Sequence, residues 1–198
     1  MTIRIAGIAD LAAIMDLERR SFPTDAWSEE TMSAELASAH SHYLVDEDGG
    51  RVVGYGGLRA LPGAADADIQ TIALDETVRG RGRGRALLRE LIAEAVVRRA
   101  RELFLEVRAD NPVAEGLYLS EGFAEIGRRP KYYQPDDVDA IVMRLDLRKW
   151  AEDRAPATEE NSRMGGPDAA SAPPEQEISS QQGEQHGEQP DAVKEARA

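Results

Sequence analysis

The sequence contains no cysteine, which excludes disulfides, thiolate metal sites and a cysteine nucleophile. No apolar run approaches the roughly 18 residues that a bilayer span needs. Met1-Thr2-Ile3-Arg4 leads straight into patterned sequence without a signal-peptide core, so a soluble cytoplasmic protein with no membrane association is expected. Positive charge is scarce as well: 24 Lys and Arg face 37 Asp and Glu, a net charge of −13. Because a phosphate backbone is held mainly by surplus Lys and Arg, this balance argues against direct nucleic-acid binding. The three histidines, His40, His42 and His186, show no ligand spacing, and no metal is expected. What is present is 41% hydrophobic residues in a chain of 198, enough for one respectable core.

The acidity is uneven. From residue 151 onward there are eleven Asp or Glu against four Lys or Arg, a net of −7, which leaves −6 for residues 1–150. That terminal segment is rich in Glu, Gln, Ser, Pro and Gly, and Met164, Ile178 and Val193 are its only large apolar residues. It cannot bury enough surface to offset chain entropy. The expectation is a folded domain over residues 1–149 and a disordered acidic tail over 150–198, acting as a tether or solubiliser, with partner binding as the alternative.

Within residues 1–149 helical and strand patterns alternate, which predicts a mixed α/β (α+β) layer architecture. Ile3 and Ile5 mark a first strand. Asp10 suits the N-cap of a helix that carries Leu11, Ile14, Met15 and Phe22 near one face, and Ser28 suits the N-cap of a second through Met32 and Leu36. Strands at Tyr43-Leu44-Val45 and Val52-Val53-Gly54-Tyr55 flank Asp46-Glu47-Asp48-Gly49-Gly50, which has the composition of a hairpin turn. A strand through Ile69, Thr71, Ile72 and Leu74 precedes a long amphipathic helix with Leu87, Leu88, Leu91, Ile92, Ala95 and Val96 on one stripe. Leu103 to Val107 reads as a buried strand. Pro112 and Gly122 suit the first turn and the C-terminal cap of a following helix, and two strands around Phe123–Ile126 and Ile141–Leu147 complete the domain.

The most informative stretch is a strand followed by Arg79-Gly80-Arg81-Gly82-Arg83-Gly84 and then a helix. A turn with little side chain exposes backbone N–H groups beside a helix N-terminus, a combination that binds phosphate. Gly80, Gly82 and Gly84 let an anion approach the main chain, and Arg79, Arg81, Arg83 and Arg85 are placed to add charge-assisted hydrogen bonds. The spacing is neither a Walker loop nor a full dinucleotide fingerprint, so a diphosphate outside those two classes is indicated. A solvated basic turn is the bland alternative.

Ile72-Ala73-Leu74 followed by this turn resembles the R/Q-x-x-G-x-G/A signature of the GNAT acetyltransferases. Leu105-Glu106-Val107-Arg108-Ala109-Asp110-Asn111 and Leu117-Tyr118-Leu119-Ser120-Glu121-Gly122-Phe123 are similar to the corresponding stretches of the RimI group, the ribosomal-protein-alanine N-acetyltransferases. The resemblance spans residues 1–149. It implies a mixed, mostly antiparallel central sheet flanked by helices, acetyl-coenzyme A as co-substrate, and a protein N-terminus as acceptor, that of ribosomal protein S18 in the RimI group. It also implies that Ile72, Ala73 and Leu74 hold the pantetheine arm where two strands splay, that the arginine-glycine turn holds the pyrophosphate, and that Asn111 contacts the coenzyme.

Glu106 stands out from the residues themselves as the one carboxylate in Leu103-Phe104-Leu105-Glu106-Val107, where a buried charge is costly without a purpose. The resemblance makes it the general base; an ion pair with Arg108 on the same strand face is the competing reading. An α-amino group, with a reference pKa of about 7.7 to 8.0, asks less of such a base than lysine near 10.4. Tyr118 lies on a helical stripe with Ala114 and Leu117. By resemblance it is the general acid for the departing thiolate; by packing alone it is a core tyrosine. Asn111 before Pro112 is also explained by helix capping. Phe22-Pro23-Thr24-Asp25-Ala26-Trp27-Ser28 and Arg129-Pro130-Lys131-Tyr132-Tyr133 resemble the loops flanking the acceptor groove, with Trp27 and Tyr132 as its walls, against simple packing of loops on the core. An acetyltransferase acting on lysine or a small amine, and a non-catalytic acetyl-coenzyme A sensor, remain the alternative functions.

Overall fold

In a computed structural model the described residues are Met1–Arg154; the expected tail beyond them lies outside the described residues. Seven strands form one sheet in the order β1-β2-β3-β4-β5-β7-β6. They span Thr2–Ile5, Ser41–Asp48, Arg51–Ala60, Asp66–Leu74, Glu102–Arg108, Ala124–Tyr133 and Val138–Asp146 for β1 to β7. Helices α1 (Leu11–Ser21), α2 (Glu29–Ala37), α3 (Arg83–Val97), α4 (Pro112–Glu121) and α5 (Leu147–Glu152) flank it. Every neighbouring pair of strands is antiparallel except β4 and β5, which run parallel because α3 crosses over between them.

The sheet buries a core on each face. Leu87, Leu88, Leu91, Ile92 and Ala95 of α3, with Ala114 and Tyr118 of α4, pack on Leu103, Leu105 and Val107 of β5. Period two puts these three β5 residues on one face and sends Phe104, Glu106 and Arg108 to the other. On the opposite face Ile14, Met15, Leu17 and Phe22 of the first helical segment pack with Trp27 and Met32 on Tyr43, Val45, Tyr55 and Ala73. The Ser28 and Asn111 side chains accept the Thr31 and Ala114 N–H groups at 3.0 and 3.1 Å, so both predicted helix starts are capped. Asp10 is different: its carboxylate turns back to the Gly7 N–H at 2.9 Å and to Arg4, capping the short 3₁₀ turn ahead of α1.

Three local expectations are corrected. The acidic turn predicted from Asp46 to Gly50 is strand up to Asp48, and only Gly49 and Gly50, both at positive φ, make the reversal. The stretch Arg129–Tyr133, expected to be a loop, is the second half of edge strand β6, with its register shifted around Pro130 and a left-handed Lys131 (φ 52°). Proline is tolerated there because an outer strand needs no donor on its free side. Helix α5 continues through the boundary expected between residues 149 and 150, since Trp150 packs against the α3 core.

Candidate active site

The parallel ladder between β4 and β5 is short. It pairs Asp66, Ala67 and Asp68 with Glu102, Leu103 and Phe104, and then the strands separate. β4 stays paired with β3 along Ile69–Leu74, with one bulge that leaves Gln70 without an opposite residue. The Asp75 N–H points to β3, donating to the Val53 carbonyl at 2.8 Å. Alternation along a strand therefore turns the main-chain groups of Leu74 and Ile72 the other way, into the gap toward β5. A cleft of about 770 Å³ opens there, lined by Ile72, Ala73 and Leu74, by Arg79, Gly80, Gly82, Gly84 and Arg85, by Asn111, Ala114 and Tyr118 of the α4 region, and by Ser21 and Phe22 at the end of α1.

One end of the cleft is the N-terminus of α3. Gly80 and Gly82 take φ of 72° and 79°, a left-handed backbone that side-chain-bearing residues rarely adopt, and open space lies where their Cβ atoms would be. Gly82 is the N-cap and offers no side-chain cap, which leaves the first-turn N–H groups facing the cleft without a side-chain acceptor. An anion is the natural complement. The four arginines of the turn have different fates. Arg79 lines the cleft and donates from Nε to the Leu74 carbonyl at 3.1 Å. Arg85 lines it too, braced by Glu121 at 3.2 Å and by the Ser120 hydroxyl at 3.1 Å. Arg81 is exposed and outside the cleft lining. Arg83, expected beside the phosphates, is buried and points inward, where it meets both oxygens of Asp46 at 2.9 Å and Asp48 at 2.9 Å. The wholly buried Asp46 needs that cation, so Arg83 ties α3 to β2 and its guanidinium is not free for a ligand.

Tyr118 lines the cleft, whereas Glu106 lies outside its lining, on the other face of β5 beyond the last rung of the β4/β5 ladder. Glu106 is buried on the face away from the α3 core, and its partner is Arg129 at 3.0 Å rather than Arg108. Arg108 instead binds Asp110 at 2.9 Å and Asp136 at 3.1 Å. Tyr118 comes from the α4 side, is fully buried, and packs edge-to-face on Phe123. Among the described residues its hydroxyl has no hydrogen-bond partner, although the residue lines the cleft. Burial pushes this phenol well above the usual range, and nearby Tyr133 adds to the shift. Asn111 both caps α4 and lines the cleft.

The two expected acceptor walls part company. Tyr132 is half-buried and lies under the Arg129 guanidinium at 5.6 Å, so it belongs to the group around Glu106. Trp27 is only 4% exposed and sits in the α1/α2 core, outside the cleft lining. Its indole is the apolar plug that fastens the 22–28 loop, so Phe22 and Ser21, not Trp27, face the cleft.

Beneath that loop lies a buried carboxylate that sequence reading passed over. Glu18 accepts the Trp27 backbone N–H at 2.8 Å and the Tyr55 hydroxyl, and Tyr55 also meets the Thr71 hydroxyl at 3.3 Å. The available signal was Glu18 beside Leu17 on the stripe carrying Ile14 and Met15, a polar residue on an apolar face. Arg129 was missed as a partner of Glu106 because β7 separates their strands. Among the described residues no group of three or more His, Cys, Asp or Glu converges as metal ligands, and no helix is long and apolar enough to cross a membrane.

A parallel-strand gap opening on a glycine-lined helix N-terminus, with a buried carboxylate and tyrosine beside it, is the architecture of an acyl-coenzyme A transferase, and the chain belongs to the acetyltransferase (GNAT) family, whose model matches residues 11–123. Among its relatives is the N-alpha-acetyltransferase RimI of Mycobacterium tuberculosis, 40% identical over 149 residues, covering 74% of this chain and 92% of the relative. The ribosomal protein bS18-alanine N-acetyltransferase of Escherichia coli is 34% identical over 150 residues, covering 74% and 97%. The crystal structure of the ribosomal-protein-S18-alanine N-acetyltransferase from Escherichia coli superposes with a TM-score of 0.67 at 31% identity, over 82% of this chain and 99% of that one.

Proposed function

We propose that the protein transfers the acetyl group of acetyl-coenzyme A directly to the N-terminal α-amino group of a protein, and that its acceptor is the N-terminal alanine of ribosomal protein S18, in the cytoplasm. The observation that carries the reading is the Tyr118 hydroxyl: fully buried, without a partner among the described residues, and lining a cleft that begins at a helix N-terminus with no side-chain cap. Buried polar groups are normally satisfied, so such a hydroxyl is explained by a partner that arrives with a ligand. The acceptor is supported by the RimI and bS18-alanine N-acetyltransferase relatives.

The cleft fits the co-substrate. The α3 N-terminus with Gly80, Gly82 and Arg79 would take the diphosphate, and the main-chain groups of Ile72 and Leu74 would bond the amides of the arm. Acetyl-coenzyme A supplies an acyl group activated as a thioester. Glu106 takes one proton from the attacking amine as the C–N bond forms. Main-chain N–H groups of β4 stabilise the charge developing on the carbonyl oxygen, a contribution of a few kcal/mol for donors of this kind. Tyr118 gives its proton to the sulfur as the C–S bond breaks. Burial raises the Tyr118 pKa, so the phenol enters the step protonated. Glu106 then returns its proton through solvent and Tyr118 is reprotonated, which balances the cycle without a covalent enzyme intermediate.

The test is acetyl transfer to short peptides differing only at the first residue, with free lysine as a control. Acetylation of the Ala-starting peptide above the others is expected. Turnover confined to lysine or small amines would overturn the acceptor, and coenzyme binding without turnover on any amine would overturn catalysis.

A further inference from the structure

Glu106 is held by a cation from the far edge of the sheet. β7 lies between β5 and β6, and Arg129 reaches across it to within 3.0 Å of the carboxylate. The same guanidinium covers the Tyr132 ring, immediately before the register shift in β6. The Glu106 side chain is 6% exposed whereas that of Arg129 is 53% exposed. A positive charge therefore stands at the solvent side of the base, where an acceptor amine must approach.

Resting on the reading of the protein as an N-terminal acetyltransferase, we propose that Arg129 is a specificity-determining residue: its charge makes the site admit acceptors as neutral amines and so discriminates against lysine side chains. A buried carboxylate with no counter-ion draws in any ammonium, but one already compensated by a guanidinium disfavours a second cation within about 4–6 Å. Neighbouring charged and titratable groups on either face of β5 are paired, hydrogen-bonded or protonated. Arg108 on the same face of β5 is compensated by Asp110 and Asp136, and its guanidinium rests 5.1 Å from the centre of the Tyr133 ring. Tyr118 of α4 stays protonated, and Glu18 of α1 is engaged by the Trp27 N–H and the Tyr55 hydroxyl. Near pH 7 an α-amine of pKa about 8 is roughly one-tenth neutral, while a lysine ε-amine near 10.4 is neutral in fewer than about one molecule in a thousand. A filter on charge thus becomes a filter on amine type, with no pocket needed to recognise the lysine chain.

The experiment measures kcat/KM against pH for Ala-starting peptides whose terminal amine pKa is graded by substitution, and for an N-terminally blocked lysine peptide, with wild type, Arg129→Gln and Arg129→Lys. For wild type the rate should climb with pH and level off at the acceptor's own pKa, so the profile moves with the peptide. In Arg129→Gln that tracking should weaken and the preference for α-amine over lysine should fall about tenfold, the scale of one removed charge near a carboxylate. Arg129→Lys should restore both. A uniform loss across all acceptors with unmoved profiles would overturn the proposal, as would a wild-type profile indifferent to acceptor pKa. Failure of wild type to acetylate any α-amine would instead overturn the underlying reading.

Discussion

Two buried tyrosines, one on each face of the sheet, are treated in opposite ways. Tyr55, on the α1/α2 side, donates to Glu18 and meets Thr71. Tyr118, on the α3/α4 side, is equally buried and its hydroxyl has no partner among the described residues. Burial raises the pKa of both phenols, so neither ionises near neutrality. What separates them is satisfaction: the first is a strut, and the second is an unsatisfied hydroxyl on a residue that lines a cleft. The Asp46–Arg83 pair completes the lesson, since it shows a site-like arginine spent on structure.

The largest effect should come from that pair. Arg83→Met would leave the buried Asp46 without its cation, and we expect the largest fall in denaturant midpoint of any substitution considered, while Arg81→Met changes stability little. The two tyrosines should then diverge. Tyr118→Phe should lower kcat by about 10²-fold, the usual weight of a general acid, with stability unchanged or slightly raised. Tyr55→Phe should cost about 1–3 kcal/mol by stripping a donor from Glu18 and leave the kcat of the folded protein near wild type. Equal behaviour of the two variants would erase the distinction between strut and donor.

A smaller effect lies at Asp68, on the last rung of the β4/β5 ladder. Burial, with Asp66 adding and Arg59 opposing, lifts its pKa to about 6. The folded state therefore prefers the protonated form. Its contribution is fully present below the unfolded value of about 3.9 and is lost as pH rises through about 6, a change of at most about 2–3 kcal/mol. Urea midpoints measured from pH 4 to 8 should fall over that window, and Asp68→Asn should flatten the fall.

Much of this arrangement was legible in the sequence. The β4 strand, the glycine turn and α3 follow from composition and period, and Ser28, Asn111 and Gly122 bound helices as capping rules require. The one carboxylate in an apolar strand marked Glu106. What was not legible depends on long-range pairing. Asp46 reads as a turn residue until Arg83, 37 residues away, supplies a charge that allows it into the strand. Arg129 reads as loop until β7 inserts between its strand and Glu106. Trp27 looked like a groove wall because an aromatic residue in a loop has the same local signature whether it lines a site or plugs a core.

The account rests most directly on Glu106 acting on the acceptor and not on the coenzyme. Glu106→Gln keeps the size of the side chain and removes its basicity, so coenzyme affinity should stay within about twofold while acetyl transfer to an Ala-starting peptide falls by about 10²–10⁴-fold. Turnover retained at the wild-type rate, with coenzyme bound normally, would contradict it.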